Sequence, residues 1–167
     1  MIKRGGKVYL DTNAIIESHR TRCWKALAHE FDLHTVAFCK REALAGKKGR
    51  PGYVEVDEET LREKITVHEV AQRDVVRFSL KIDGQVFDVD GGERELLAHA
   101  LLDPDAWFLC GPDNASMHAL NFLNLLDRAI SLEMMCSVGK IQTTQPFKQN
   151  YTERWMKDFR MRNSFRP

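Results

Sequence analysis

The apolar positions in the first third of the chain follow strand and helix patterns in turn. Residues 8–10 form a short apolar run before an acid, which is typical of a buried strand. The stretch "AIIESHRTRCWKALAHEF" (14–31) has apolar residues at helical spacing, and we predict one amphipathic helix there. "LHTVAF" (33–38) predicts a strand, and "REALAG" predicts a short helix that ends at Gly46.

The remaining two thirds continue this alternation. "ETLREK" and "ITVHEV" predict a helical turn and a strand, and "AWFLCG" predicts a buried strand. Helical patterns cover 91–103, the long stretch 112–135 and the basic stretch 151–162. Residues 70–82 can form a helix or the first arm of a hairpin about Asp83-Gly84, and we favour the helix. Strands that alternate with helices indicate an α/β fold with a mostly parallel sheet.

Length and charge restrict the protein class. The chain has 167 residues, which suits a single domain (1–167), and residues 146–167 form a basic helical extension of it. The net charge is only +1, so attraction to a polyanion must come from local patches. The absence of a long apolar run and of a signal-peptide core predicts a cytoplasmic protein without membrane partners. The four scattered cysteines fit reduced, buried thiols.

Acidic residues recur where the predicted strands end. Asp11 follows the first strand, Glu42 the second, and Asp113 comes after "WFLC". Glu93 and Glu95 stand in the first turns of the helix "GGERELLAHA". Ligands of parallel α/β sheets bind at the carboxyl ends of the strands, and clustered carboxylates call for a hard cation such as Mg²⁺ or Mn²⁺.

Each acid also has a structural explanation. Asp113 can be the N-cap of a helix, and Glu93 and Glu95 can complement a helix dipole. Glu42 can be a solvated residue in the charged run "KRE". Asp11 is the hardest to explain in this way, because the strand before it should be central and buried.

These motifs together resemble the PIN-domain ribonucleases over roughly residues 7 to 130. "VYLDTNAIIES" is similar to their opening strand with its Asp-x-Asn signature, Asp11 and Asn13. "REALAG" resembles their second acidic element, "GERELLAHAL" the Gly-Glu-x-Glu helix start of one branch, and "WFLCGPDNASMHAL" the strand with the fourth acid. Glu93 and Glu95 both match the third acid, and we favour Glu95. The chain has Asn114 and Ser116 where many members carry a further acid or hydroxyl, which leaves the number of metal ions open.

The resemblance implies a three-layer α/β/α fold and Mg²⁺- or Mn²⁺-dependent cleavage of RNA. It implies Asp11, Glu42, Glu95 and Asp113 as catalytic metal ligands. Thr12, Asn13, Glu93 and Asn114 would support them. Many bacterial members are toxins paired with an antitoxin protein and form homodimers. The resemblance therefore implies a homodimer here, and it leaves open whether the protein is a toxin with an antitoxin partner. The rival hypotheses are a catalytically inactive binding or scaffolding module, or another metal-dependent nuclease or phosphatase.

Two basic segments are candidates for RNA binding. The first lies close to Glu42 and contains Lys40, Arg41, Lys47, Lys48 and Arg50. The second is the tail, where cations are interleaved with Tyr151, Trp155 and Phe159. The tail aromatics can equally pack the last helix on the body of the protein. The six histidines show no metal-ligand spacing.

Overall fold

The fold alternates short strands with helices along the whole chain. The computed structural model describes residues 1–82 and 88–164. The strands of the described residues are β1 (Lys7–Leu10), β2 (Asp32–Val36), β3 (Thr66–His68), β4 (Trp107–Cys110) and β5 (Ala129–Ile130). Their helices are α1 (Thr12–Arg20), α2 (Trp24–Glu30), α3 (Ala37–Leu44), α4 (Glu58–Lys64), α5 (Gln72–Lys81), α6 (Gly91–Ala100), α7 (Asn114–Phe122), α8 (Leu132–Gly139) and α9 (Glu153–Ser164).

The five strands form one parallel sheet in the order β3-β2-β1-β4-β5. β1 is central, with Val8 opposite Leu33 of β2 on one side and Phe108 of β4 on the other. Because every strand runs the same way, all carboxyl ends lie at one edge of the sheet. The strand order reverses between β1 and β4, which is where parallel α/β sheets open a binding crevice.

Helices cover both faces of the sheet and bury two apolar cores. Val8 and Leu10 of β1 point into the core that contains Leu27 of α2. Tyr9, between them, points into the opposite core with Leu97 of α6. A continuous apolar strand with a core on each side is what a buried parallel sheet requires. The predicted three-layer α/β/α fold is confirmed.

The single helix predicted over 14–31 is wrong, because α1 and α2 are separated by a turn. Arg22 has a positive φ of 58°, a conformation that ends an α-helix. The Cys23 N–H donates to the Ser18 carbonyl across this turn at 3.0 Å. No glycine or proline interrupts the apolar pattern here, so the sequence carries no stop signal.

The long helix predicted over 112–135 is also wrong, since β5 divides it into α7 and α8. Asn124 takes a positive φ of 58° just after α7, and asparagine is among the few residues that tolerate it. β5 then pairs with β4, and the Ser131 hydroxyl accepts the Met134 N–H to cap α8. A two-residue strand is too short to give a period of its own.

The other element predictions agree with the structure apart from their boundaries. The helix favoured over 70–82 is present as α5, while the alternative turn at Asp83-Gly84 lies outside the described residues. β2 ends at Val36, and Ala37 and Phe38 already belong to α3.

No helix among the described residues is long and apolar enough to cross a membrane.

Candidate active site

Asp11 is buried at the carboxyl end of the central strand. It is 3% exposed and acts as the N-cap of α1, where its Oδ2 accepts the Asn13 backbone N–H at 3.1 Å. The net effect of its surroundings raises the pKa of the carboxyl to about 7. Burial is the largest cause, and the carboxylates of Asp90 and Asp113 add to it, while the Asn13 and Thr12 N–H groups oppose it. The helix terminus stabilises the charged form only in part, so the ionised carboxyl of Asp11 remains unfavourable in this site.

Glu93 provides a second buried carboxylate beside Asp11. It is 4% exposed in the first turn of α6, and its Oε1 accepts the Asp113 backbone N–H at 3.3 Å. Its Oε2 is buried without a hydrogen-bond partner among the described residues. Burial, followed by the charges of Asp11 and Asp113, raises the pKa of Glu93 to about 9.

The structure brings Glu93, rather than the favoured Glu95, into the acidic group. Asp90 is the N-cap of α6 and accepts the Glu93 N–H at 2.9 Å, so Glu93 stands three residues inside the helix start. Glu95 is half-buried, about 200° further round the axis, and no contact among the described residues joins it to Asp11, Glu42 or Asp113. The buried acid beside Asp11 and Asp113 is thus Glu93, and the role of Glu95 as a metal ligand stays a prediction.

Asp113 caps a helix and also lies close to the two buried acids. It is the N-cap of α7, and its Oδ1 accepts the Ser116 N–H at 2.7 Å. Its carboxylate is exposed, yet it is close enough to raise the pKa values of both Asp11 and Glu93. Capping fixes the carboxylate at the end of β4, next to Asp11 at the end of β1.

Glu42 reaches the site through Thr12. The Thr12 hydroxyl, expected to support Asp11, instead donates to Glu42 Oε2 at 2.9 Å. A Cβ atom on Gly92 would stand 3.1 Å from the same oxygen, so α3 and α6 approach each other closely here. Glu42 itself is exposed. It therefore lies beside the buried pair Asp11 and Glu93 without a described contact to either.

The supporting residues are arranged differently from the expectation. The described contact of Asn13 with Asp11 uses its backbone N–H, while the Asn13 residue as a whole is exposed. Asn114 is the exposed first residue of α7, and no described contact links its side chain to the acids. Asp90 and Ser116 were not predicted. A "DGGE" start, with a capping residue three positions before a glutamate, was the available signal for Asp90.

The acids converge without forming a closed ligand set. Across residues 1–82 and 88–164, no group of three or more His, Cys, Asp or Glu side chains is arranged to hold a metal ion. Each carboxylate is instead held by a hydrogen bond of its own, from Asn13 N, Thr12 Oγ1, Asp113 N or Ser116 N. Glu93 Oε2 and the buried Ser116 Oγ stay without partners among the described residues.

The predicted basic residues lie on α3 and the loop after it. Arg41, Lys47, Lys48 and Arg50 are exposed and Lys40 is half-buried. The Arg41 guanidinium lies 5.7 Å from the centre of the Phe38 ring. This face of the protein is therefore cationic close to Glu42.

The C-terminal aromatic residues serve mainly as packing. Tyr151 and Phe159 are buried, at 4% and 2% exposure, and Trp155 is half-buried. Tyr151 packs beside Gly111, just after β4. The structural interpretation of these side chains is confirmed for Tyr151 and Phe159.

A histidine cluster that was not expected from the sequence lies on the α6 face of the sheet. His34 Nδ1 and His68 Nε2 are 2.8 Å apart, and the His68 and His99 rings stack at 4.1 Å between centroids. Tyr9 lies beside all three rings and donates its hydroxyl to Asp103 at 2.7 Å. The three histidines are 34 and 31 residues apart in sequence, so no local spacing could show the cluster.

All four cysteines are free and buried, as expected.

Comparison of the chain with models of protein families gives no match, and comparison with curated proteins gives none either.

Proposed function

We propose that this protein is a metal-dependent endoribonuclease of the PIN type. It would hydrolyse RNA phosphodiester bonds at Asp11, Glu93 and Asp113, with Glu42 beside them. The observation that carries the proposal is the buried Glu93 carboxylate between Asp11 and Asp113, with one oxygen lacking a partner among the described residues. A parallel α/β sheet binds ligands at this edge, where the strand order reverses between β1 and β4.

The donor atoms fit a hard divalent cation. All four side chains offer carboxylate oxygens, which are the ligands that Mg²⁺ and Mn²⁺ prefer. Two of the carboxylates are buried together. Burial, and after it the charges of neighbouring acids, raises their pKa values, and a bound cation would offset both effects. When bound, the ion would polarise a phosphate oxygen and make a water molecule more acidic.

Backbone N–H groups and a hydroxyl of the protein would hold the carboxylates in position. The Asn13 N–H fixes Asp11, and the Ser116 N–H fixes Asp113, so both carboxylates are held before substrate arrives. The hydroxyl of Thr12, the residue after Asp11, donates to Glu42 and holds that carboxylate. Prepositioned groups of this kind lower the entropy lost in reaching the transition state.

Replacement of Asp11 by asparagine tests the proposal. Asp11→Asn should abolish Mn²⁺-dependent cleavage of a labelled RNA and keep the fold, because asparagine can still cap α1. The melting temperature should stay equal or rise, since a buried, repelled carboxylate is removed. Cleavage assays, with circular dichroism for the melt, would measure both.

Asp127→Asn is the matched control, since Asp127 is an exposed acid near the starts of β1 and β4, at the opposite edge of the sheet. It should cleave like the wild type. Normal cleavage by Asp11→Asn, or cleavage by the wild type in excess chelator, would contradict the proposed site.

A second candidate is a binding or scaffolding module without catalysis. It is favoured by the lack of a closed group of three ligands within the described residues. Isothermal calorimetry with Mn²⁺ separates the two hypotheses, because the module should bind no ion while the nuclease should bind Mn²⁺ through Glu93. Parallel assays on RNA, single-stranded DNA and a phosphomonoester would separate the ribonuclease from other metal-dependent nucleases and phosphatases.

A further inference from the structure

The loop after α3 is built from two consecutive β-turns. The Arg50 N–H donates to the Lys47 carbonyl at 3.2 Å, and the Tyr53 N–H donates to the Arg50 carbonyl at 3.0 Å. The third position of each turn is a glycine with positive φ, Gly49 at 92° and Gly52 at 79°. A type II turn requires this conformation at its third position, and Pro51 suits the second position of the second turn. The local sequence therefore fixes how this loop presents its side chains.

We use the name basic loop for residues 40–53, which comprise the last residues of α3 and the loop after it. It contains five lysine or arginine residues and one acid, Glu42, in a chain whose net charge is +1. No ion pair joins Lys47, Lys48 or Arg50 to an acid of the described residues, and all three are exposed. The basic loop thus has cations available to a polyanion, which the near-neutral molecule as a whole does not offer.

Tyr53 places an aromatic ring at the end of the second turn. A Cβ atom on Gly46 would lie 3.1 and 3.2 Å from Tyr53 Cε2 and Cδ2, so the ring rests directly on the Gly46 backbone. Tyr53 is half-buried, which leaves part of the ring in solvent. Glu42 stands in the last turn of α3, and Gly46 comes two residues after the end of that helix. The ring is therefore held close to the proposed site.

We propose that the basic loop is a binding site for single-stranded RNA, with one unpaired base stacked on Tyr53. Lys47, Lys48 and Arg50 contact the phosphates on either side of that base. The inference deepens the proposed function and rests on it for the choice of RNA. A base can stack on a side chain only when it is unpaired, so the proposal excludes a duplex as the preferred ligand. Aromatic stacking beside basic residues is the usual chemistry of single-strand binding.

Binding without cleavage tests the inference directly. The probe is a fluorescein-labelled 12-nucleotide single-stranded RNA, titrated in chelator with the full chain and followed by anisotropy. Tyr53→Phe should bind within about twofold of the wild type, and Tyr53→Ala should bind about tenfold more weakly, because stacking is lost. Tyr53→Leu still covers Gly46 but has no aromatic face, and it should be as weak as Tyr53→Ala.

The charges are tested by the salt dependence. Lys48→Ala should lower the slope of log affinity against log salt by about 0.7, the value for one phosphate contact of a single strand. Arg62→Ala, which removes an exposed cation from α4, is the matched control and should leave the slope unchanged. The complementary RNA duplex should bind more weakly than the single strand and should not distinguish Tyr53→Leu from Tyr53→Phe.

Equal affinity of Tyr53→Leu and Tyr53→Phe for the single strand would overturn the inference, and so would absence of wild-type binding. Tyr53-dependent binding without metal-dependent cleavage would keep the inference and reject the nuclease. Cleavage that needs Asp11 but is indifferent to Tyr53→Leu in both binding and rate would keep the nuclease and reject the Tyr53 site.

Discussion

Asp11 and Asp113 each cap a helix and also face a second buried carboxylate. The two roles are compatible because a capping aspartate uses one oxygen for the helix N–H and keeps the other for a further partner. The capping bond also fixes the direction of the side chain. A capping role therefore does not exclude a further role for the carboxylate of an aspartate that follows a buried strand.

Replacing Glu93 and Glu95 separately identifies the third acid. Glu93→Gln should lower Mn²⁺ affinity at least tenfold, while Glu95→Gln, the matched control on the same helix, should change it less than twofold. Glu93→Gln should also raise the melting temperature of the metal-free protein at neutral pH, because burial raises the pKa of Glu93 to about 9 and the wild type must take up a proton there on folding, which glutamine avoids. Calorimetry and thermal melts measure both. A large loss of Mn²⁺ affinity in Glu95→Gln, with little change in Glu93→Gln, would identify Glu95 as the ligand instead.

At the residue scale, the sequence placed Asp11 and Asp113 after strands, but it favoured Glu95 over Glu93 on the helix. Asp11 and Asp113 could be located because apolar strands lead directly to them. Glu93 and Glu95 differ only in direction around α6, and that direction depends on where the helix begins. The cap at Asp90 sets the start, and its signal was masked by two glycines, which are poor helix formers.

The two glycines at the start of α6 allow α3 to pack against its first turn. A Cβ on Gly92 would meet Glu42 Oε2 and Phe38 Cδ1 at 3.1 Å and Cys39 Sγ at 3.2 Å. Those distances are tighter than ordinary van der Waals contact. Gly92 therefore determines how closely Glu42 approaches the helix that carries Glu93.

Gly92→Ala should separate α3 from α6. Alanine in a helix usually stabilises by roughly 0.5–1 kcal/mol relative to glycine, but here the crowding should cancel that gain. Mn²⁺ affinity should fall, because Glu42 is displaced from the site. The control is Gly91→Ala, whose Cβ would meet only the Phe38 ring, a side chain that can shift. A Gly92→Ala protein that melts higher and binds Mn²⁺ like the wild type would show that this close approach is not required.

At the element scale, the period of the apolar pattern located most helices and strands. It failed where a helix ends without a glycine or proline in the sequence. Arg22 and Asn124 both adopt positive φ without a neighbouring glycine, and both fall inside patterns that continue to look helical. β5 was hidden because two residues cannot show a period. Its place in the sheet comes from pairing with β4, a contact distant in sequence.

For the molecule as a whole, two clusters of titratable side chains lie against the sheet, one acidic and one of histidines. The proposed site at the carboxyl edge holds buried acids whose pKa values are raised. The histidine cluster (His34, His68 and His99) lies beside Asp103, whose pKa is lowered to about 2: burial opposes this, but hydrogen bonds from Tyr9 and Lys7 outweigh it. Only one proton fits between His34 Nδ1 and His68 Nε2 at 2.8 Å, so the pair cannot carry two protons there. The ring that stays neutral is His68, whose pKa is lowered by burial and then by His99 and His34.

Acid should weaken the fold through His68. Burial, and then the neighbouring His99 and His34 rings, lower the pKa of His68 to about 4 from 6.5. The unfolded chain then binds more protons than the folded protein between pH 6.5 and 4, so the contribution of His68 to the free energy of unfolding falls as the pH falls through this range. Burial also lowers the pKa of His99, which acts in the same direction. Asp11 and Glu93 act in the opposite direction over part of it, since their pKa values are raised.

A comparison with His68→Gln separates these effects. Glutamine can still donate a hydrogen bond to His34 but does not titrate. Urea unfolding in chelator at pH 7.5 and pH 4.5 gives the free energy of unfolding of both proteins. The stability of the wild type relative to His68→Gln should be lower at pH 4.5 than at pH 7.5, because only the wild type must keep an imidazole neutral at the lower pH. Leu80→Gln, an exposed position on α5, is the control and should show no such change with pH. An equal difference between wild type and His68→Gln at the two pH values would mean that His68 is not held neutral by its surroundings.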